Sequence, residues 1–186
     1  MPVIKHKEQR IGVLIDVQNL YHSAKNLYNS RVNFKEVLKT AVAGRKLIRA
    51  IAYVIRTETR EEAHFFEALQ KIGIETRVKD LQIFYGGLKK ADWDVGITVD
   101  AIRLAPSLDV IVLISGDGDF VPLVEYLKNQ GKQVEVLAFS KSTSSKLKES
   151  ADDFIDLGES RYFLKKEKKL VPRTSRRSIL KKVFKL

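Results

Sequence analysis

The chain has 186 residues, 44% hydrophobic and 31% charged, which is typical of one globular domain with an appendage. It contains no cysteine and three histidines, which excludes disulfides, thiolate metal sites and histidine-rich metal sites. No apolar run approaches the ~18–20 residues that cross a bilayer, and residues 1–10 lack an apolar signal core. We therefore expect a cytoplasmic protein and no membrane partner.

Short apolar segments rich in β-branched residues alternate with longer segments of helical spacing. The predicted strands are residues 11–15, 47–55, 74–78, 110–114 and 134–139. The predicted helices are residues 33–43, with Asn33 as the cap, 60–73, ended by Gly73, 93–104 and 120–129. Because the strands show little polar alternation, they indicate a parallel sheet covered on both faces, and we predict a doubly wound α/β sandwich.

The positive charge is concentrated at the end of the chain. The net charge is +11, of which residues 159–186 carry +9 (eleven Lys and Arg against two Glu) and residues 1–158 carry +2. Since the strand–helix alternation also stops there, we predict a domain of residues 1–158 followed by a basic tail of residues 159–186. Such a tail favours a polyanion such as RNA or DNA, with Lys181 and Lys182 among the contacts.

Other roles for this tail stay open. An acidic membrane surface, or self-association, would use an apolar helical face in residues 175–186, formed by Ile179, Leu180, Val183 and Phe184. A solvated tail without a specific partner is the third alternative. No pattern in the sequence decides the oligomeric state, and a homodimer is retained as one alternative.

Carboxylates follow two of the predicted strands. Asp16 comes directly after residues 11–15, and the segment Ser-Gly-Asp-Gly-Asp, which contains Asp117 and Asp119, comes directly after residues 110–114. Asp94 lies at the start of the helix that precedes the second of these strands. Because ligands bind beyond the carboxyl ends of parallel strands, near the topological switch point, we expect these acids to share one edge of the sheet.

Clustered carboxylates repel one another, and a fold keeps them together where a cation neutralises them. Oxygen ligands of this kind suit Mg²⁺ or Mn²⁺, which promote hydrolysis of phosphodiesters. Each acid alone also has a simpler interpretation: Asp16 as a helix cap, residues 115–119 as a turn, and Asp94 as a favourable charge at a helix N-terminus. The convergence of three distant segments on one edge favours the metal site.

Three motifs carry a resemblance to a known family. They are Ile-Asp-Val-Gln-Asn-Leu at residues 15–20, Asp94-Val95 with Val-Asp-Ala-Ile at 99–102, and Ser-Gly-Asp-Gly-Asp-Phe-Val-Pro-Leu at 115–123. In this order and spacing they resemble the NYN domain, most closely its LabA-like branch, within the PIN-like nuclease superfamily. The resemblance covers roughly residues 10–157. It implies a three-layer α/β/α sandwich with a mostly parallel central sheet and a divalent-metal-dependent ribonuclease site.

The resemblance also implies roles for single residues. Asp16, Asp94 and Asp117 correspond to the core metal-binding acids, and Asp119 to a fourth acid that binds directly or through water. Asn19 corresponds to an orienting amide near the first acid. Two residues are assigned supporting roles: Ser115, and Asp100, which lies six residues after Asp94 and about 120° around the helix. One departure is that Ala-Asp-Trp stands between Lys90 and Asp94, where family members often have Lys-Gly-Val-Asp.

Residues near these acids are predicted to contact nucleic acid: Trp93 by stacking on a base, and Arg56, Lys89 and Lys90 by holding phosphates. The alternatives are that Trp93 packs into the core and that the cations form a solvated surface. Taken together, the sequence predicts a metal-dependent endoribonuclease that acts on single-stranded RNA. A non-catalytic RNA-binding or regulatory module that retains a metal-binding acidic pocket is the alternative.

Overall fold

A computed structural model describes residues 3–56, 60–80, 82–83, 89–90 and 92–164. Its strands are β1 (Arg10–Asp16), β2 (Lys46–Arg56), β3 (Glu75–Asp80), β4 (Gln82–Ile83), β5 (Lys89–Lys90), β6 (Val110–Ile114), β7 (Gln133–Ala138) and β8 (Asp153–Asp156). Its α-helices are α1 (Val17–Tyr28), α2 (Phe34–Val42), α3 (Arg60–Lys71), α4 (Asp94–Leu104), α5 (Val121–Asn129) and α6 (Ser145–Ser150).

Six strands form one parallel sheet in the order β3-β2-β1-β6-β7-β8. The two-residue strands β4 and β5 pair with each other in antiparallel orientation. From β1 the chain adds β2 and β3 on one side and then crosses over to place β6, β7 and β8 on the other. The topological switch point therefore lies between β1 and β6, where ligand sites form in sheets of this kind.

Helices cover both faces of the sheet. On one face, Leu20 of α1, Val37 of α2 and Leu69 of α3 belong to one buried cluster. On the other face, Ile97 of α4 and Val124 of α5 belong to a second cluster, together with Leu147 of α6. Both faces of the strands are therefore buried, which confirms the predicted three-layer α/β/α sandwich.

The ends of two helices follow from their residues as predicted. Asn33 caps α2, because its side-chain oxygen accepts a hydrogen bond from the Glu36 N–H. Gly73 follows α3 with a φ of +83°, a conformation that glycine adopts without a steric penalty. None of the helices in the described ranges combines the length and the apolar character that a membrane span requires.

Some elements were not predicted. Strand β8, with the sequence Asp-Phe-Ile-Asp, lies at the edge of the sheet and is too short and polar for a clear strand pattern. Helix α1 begins directly at Val17, so the motif at residues 15–20 spans the end of a strand and the first turn of a helix.

Candidate metal centre

The carboxyl ends of β1 and β6 lie side by side at the switch point. Ile15 pairs with Ile114, so the next residues, Asp16 and Ser115, are neighbours. The Ser115 hydroxyl donates to Asp16 Oδ2 over 3.0 Å. Asp16 Oδ1 accepts from the Asn19 N–H over 3.0 Å and so caps α1. Asp16 is 9% exposed, and both of its oxygens are held by these contacts.

The turn after β6 is wound around its own polar side chains. The Asp117 N–H donates to Ser115 Oγ over 3.2 Å, and the Asp119 N–H donates to Asp117 Oδ1 over 3.0 Å. Asn19 ties α1 to this turn, since its Oδ1 accepts from the Gly116 N–H over 2.9 Å. The positions of Asp117 and Asp119 are therefore set by local hydrogen bonds and by α1.

Helix α4 brings a third carboxylate to the turn. Asp94 is its first residue, and Asp94, Asp117 and Asp119 each offer an oxygen such that all three oxygens lie within 4.8 Å of one another. Asp94 and Asp117 are half-buried, whereas Asp119 is exposed. Within the described part of the chain, no ion pair joins Lys, Arg or His to these acids or to Asp16.

The electrostatics of the group reflect this excess of negative charge. Burial, together with repulsion from Asp117, Asp16, Asp92 and Asp119, raises the pKa of Asp94 to about 6. Burial also raises the pKa of Asp16, against the opposing effect of its hydrogen bonds with Asn19 and Ser115. A hard divalent cation would relieve this repulsion, and three carboxylates with access to solvent are the ligands that Mg²⁺ and Mn²⁺ prefer. The donor set therefore fits such an ion.

Asp16 stands apart from the three-carboxylate group. The residues predicted as core ligands are Asp16, Asp94 and Asp117, with Asp119 as a fourth acid. The group whose oxygens lie within 4.8 Å of one another contains Asp94, Asp117 and Asp119. Asp16 still contributes charge, because it raises the pKa of Asp94. Its role as a direct ligand stays a prediction.

Asp100, predicted to have a supporting role, is neutralised by its own partners. It is 6% exposed and accepts a hydrogen bond from the Tyr53 hydroxyl over 2.8 Å. Arg77 Nε lies 3.2 Å from the same carboxylate. These contacts join α4 to β2 and β3, so Asp100 acts on the position of α4.

Trp93, predicted to stack on a base, has contacts within the fold. Its Nε1–H donates to the Val54 carbonyl oxygen over 3.0 Å, and its ring centroid lies 5.3 Å from that of Tyr53. Lys79 Nζ lies 5.6 Å from the ring centroid. These contacts favour the alternative that Trp93 packs against the sheet.

The predicted cations have different placements. Arg56 ends β2, is exposed, and forms an ion pair of 3.6 Å with Asp80. Lys89 and Lys90 form β5. Lys181 and Lys182 lie outside the described residues.

The sequence does not single out the loop between β7 and α6. This loop packs on the turn after β6 that carries Asp117 and Asp119, which we call the acidic turn. Its signal in the sequence is a run of Ser and Thr after a strand.

A parallel sheet covered on both faces, with carboxylates at its switch point, is consistent with the PIN-like class of α/β/α proteins. Within this class, a family profile described as the NYN domain matches residues 10–158. The chain belongs to the NYN domain family. This confirms the resemblance of the three motifs, and proteins of the NYN and PIN-like superfamily are typically metal-dependent nucleases.

Individual relatives agree with this assignment. The chain is similar to the Low amplitude and bright protein LabA of Synechococcus elongatus, with 24% identity over 181 residues, 89% of this chain and 93% of that protein. An uncharacterized protein of Methanocaldococcus jannaschii is 29% identical over 157 residues, 82% of this chain but 57% of that longer protein. A crystal structure of a protein of unknown function from Vibrio parahaemolyticus superimposes with a TM-score of 0.80 and 33% identity, covering 87% of this chain and 100% of that one.

Proposed function

We propose that this protein is a divalent-metal-dependent endoribonuclease that hydrolyses phosphodiester bonds of single-stranded RNA. The observation that carries the proposal is the group of Asp94, Asp117 and Asp119, whose oxygens lie within 4.8 Å of one another. These acids have no cationic partner in the described part of the chain, so they are available to a metal ion. Membership of the NYN family, whose nucleases act on RNA, supports the choice of substrate.

Some residues hold the ion, and others position the residues that hold it. Asp94, Asp117 and Asp119 supply ligand oxygens for Mg²⁺ or Mn²⁺, and Asp16 adds a fourth negative charge beside them. Ser115 and Asn19 fix Asp16 and the acidic turn through their hydrogen bonds. When bound, the ion lowers the pKa of a coordinated water and stabilises negative charge on the phosphodiester.

The proposal also gives a role to the basic tail and a location to the protein. The net charge of +9 in residues 159–186 supports a sequence-independent grip on RNA by this tail. We place its action in the cytoplasm.

A second candidate is an RNA-binding or regulatory module that keeps the acidic pocket without turnover. One observation favours it: both oxygens of Asp16 already accept hydrogen bonds, and Asp16 lies outside the three-carboxylate group. If Asp16 serves only the fold, the three remaining carboxylates can hold an ion in a module that binds RNA without cleaving it. The two candidates differ in a single measurable property, which is cleavage of bound RNA.

The test is incubation of a labelled single-stranded RNA with the full chain in Mn²⁺ or in EDTA. We expect internal cleavage only with the metal. Asp117→Asn should reduce the rate by more than the about 10–100-fold that loss of an outer-shell partner costs. Asparagine keeps a side-chain oxygen for the Asp119 N–H, so the turn is preserved.

The matched control is Asp109→Asn, which removes the same charge from a partly exposed residue that pairs with Arg10 at the amino end of β6. It should cleave RNA like the parent protein. Binding of RNA and of Mn²⁺ without cleavage of several substrates would favour the module. Equal cleavage by Asp117→Asn and its parent, at equal purity, would reject the site.

A further inference from the structure

The loop between β7 and α6 packs directly on the acidic turn. We name residues 140–144, Ser-Lys-Ser-Thr-Ser, the hydroxyl loop. The Ser144 N–H donates to the Gly116 carbonyl oxygen over 3.0 Å. A Cβ added at Gly116 would lie 2.9 Å from Thr143 Oγ1, and one added at Gly118 would lie 2.9 Å from Ser144 Oγ. The two glycines on either side of Asp117 therefore give the hydroxyl loop room to approach.

The hydroxyl loop is held in place from several sides. The Ser140 N–H donates to Asp156 Oδ1 over 3.0 Å, and Lys148 Nζ donates to the Ser140 carbonyl oxygen over 2.6 Å. Ser142 Oγ lies 2.9 Å from Ser23 Oγ on α1, which ties the loop to the helix that Asp16 caps. The loop is thus preorganised, and its outward groups have fixed positions relative to the acids.

Three side chains in or beside the hydroxyl loop make none of the contacts that hold the loop in place among the described residues. Ser144 Oγ lies against the acidic turn and does not cap α6. Lys141, three residues before Ser144, and Lys146, two residues after it, are exposed. Among the ion pairs of the described residues, none involves either lysine.

We propose that the hydroxyl loop, together with Lys146, is the surface that holds the phosphate backbone of RNA beside the acidic pocket. This inference rests on the proposed function. The Ser144 hydroxyl donates to a phosphate oxygen, and Lys141 and Lys146 neutralise neighbouring phosphates. A pocket of carboxylates repels a polyanion, so a substrate strand that enters it needs cations and neutral donors at the rim. The hydroxyl loop supplies both within one short segment.

The test is the salt dependence of RNA binding, measured in the Asp117→Asn background so that the strand stays intact. The variant Lys141→Gln/Lys146→Gln removes two phosphate contacts. For single strands, each contact contributes about 0.7 to the slope of log K against log salt, so we expect the slope to fall by about 1.4. The matched control is Lys7→Gln/Lys46→Gln, which removes the same charge from exposed residues at the amino edge of the sheet and should leave the slope unchanged.

A second variant tests the hydroxyl separately. Ser144→Ala should weaken RNA binding about two- to tenfold at every salt concentration, without a change in slope, because it removes a neutral hydrogen bond. Its control is Ser107→Ala, an exposed serine just before the amino end of β6. Thermal unfolding of each variant verifies that it is folded.

The outcomes separate this inference from the proposed function. If the unaltered chain cleaves RNA but the loop variants bind like their controls, the loop assignment is wrong and the nuclease stands. If the slope falls as expected but the unaltered chain never cleaves, the loop assignment stands and the nuclease is rejected. If the chain does not bind RNA, the loop assignment is wrong. It is also wrong if the loop variants lose binding to anionic lipid vesicles but not to RNA.

Discussion

The Tyr53 hydroxyl on β2 donates a hydrogen bond of 2.8 Å to the buried carboxylate of Asp100 on α4. Burial and this carboxylate raise the pKa of Tyr53, so its hydroxyl remains a donor at all physiological pH values. Since α4 begins at Asp94, a contact that fixes α4 against the sheet also fixes the first carboxylate of the metal group. The pocket therefore depends on a hydrogen bond more than one helical turn away from it.

Tyr53→Phe removes this donor and leaves a buried carboxylate short of one partner. We expect the free energy of unfolding to fall by about 1–3 kcal/mol. Urea denaturation followed by the fluorescence of Trp93, the single tryptophan, measures this change. Tyr21→Phe is the matched control, because Tyr21 is 56% exposed, and it should change stability by less than about 0.5 kcal/mol. Equal effects of the two variants would contradict the role of Tyr53.

Ser115→Ala breaks two contacts at once, the donation to Asp16 and the acceptance from the Asp117 N–H. Because these contacts orient acids around the ion, we expect an about 10–100-fold loss of Mn²⁺ affinity. Calorimetric titration of the variant with Mn²⁺ provides the measurement, with Ser107→Ala as the control. An unchanged affinity would mean that Asp16 and Asp117 keep their positions without the serine.

Asp16→Asn separates charge from structure at the end of β1. Asparagine caps a helix about as well as aspartate, so α1 should be retained. Because Asp16 lies outside the three-carboxylate group, we expect its loss to weaken Mn²⁺ binding less than Asp117→Asn does. The same calorimetric titration compares the two. A loss as large as that of Asp117→Asn would identify Asp16 as a direct ligand of equal weight.

The stability of the metal-free protein should depend on the titration of Asp94. Its pKa rises from 3.8 to about 6 on folding, so the folded chain binds this proton more tightly than the unfolded chain. The contribution of Asp94 to the free energy of unfolding therefore falls as pH rises from about 3.8 to about 6.

Urea denaturation in EDTA across this window measures the effect, with Asp94→Asn as the comparison. The stability of the variant relative to the parent should increase with pH and level off above about pH 6. A difference that is constant over the window would show that the pKa of Asp94 is not raised.

The sequence predicts the part of the site that depends on strand order. Asp16 and Ser115 follow apolar parallel strands directly, so pairing of β1 with β6 brings them together, and periodicity alone indicates both strands. The sequence also predicts Asp94 at the start of α4, but periodicity does not give the distance between α4 and the sheet, on which the position of Asp94 depends. That distance is set by Tyr53, Asp100 and the Trp93 contact with Val54, which join residues far apart in sequence.

The position of the hydroxyl loop does not follow from the sequence for the same reason, whereas packing of Trp93 is one of the two interpretations that the sequence leaves open. A run of Ser and Thr predicts a loop, but which turn it contacts is decided by the packing of β7 and α6 against α5 and the turn after β6. The room left by Gly116 and Gly118 becomes meaningful only once Thr143 and Ser144 are seen against them. Tertiary contacts therefore determine the position of the loop, and the local sequence pattern does not.

The hydrogen bond from Ser115 to Asp16 joins residues 99 positions apart. During translation, Asp16 emerges from the ribosome long before Asp119, and the acidic pocket is incomplete until Asp119 has been added. A polypeptide that stops before residue 119 consequently lacks one of the three carboxylates of the metal group. Assembly of this acidic edge is thereby delayed until most of the sandwich has been synthesised.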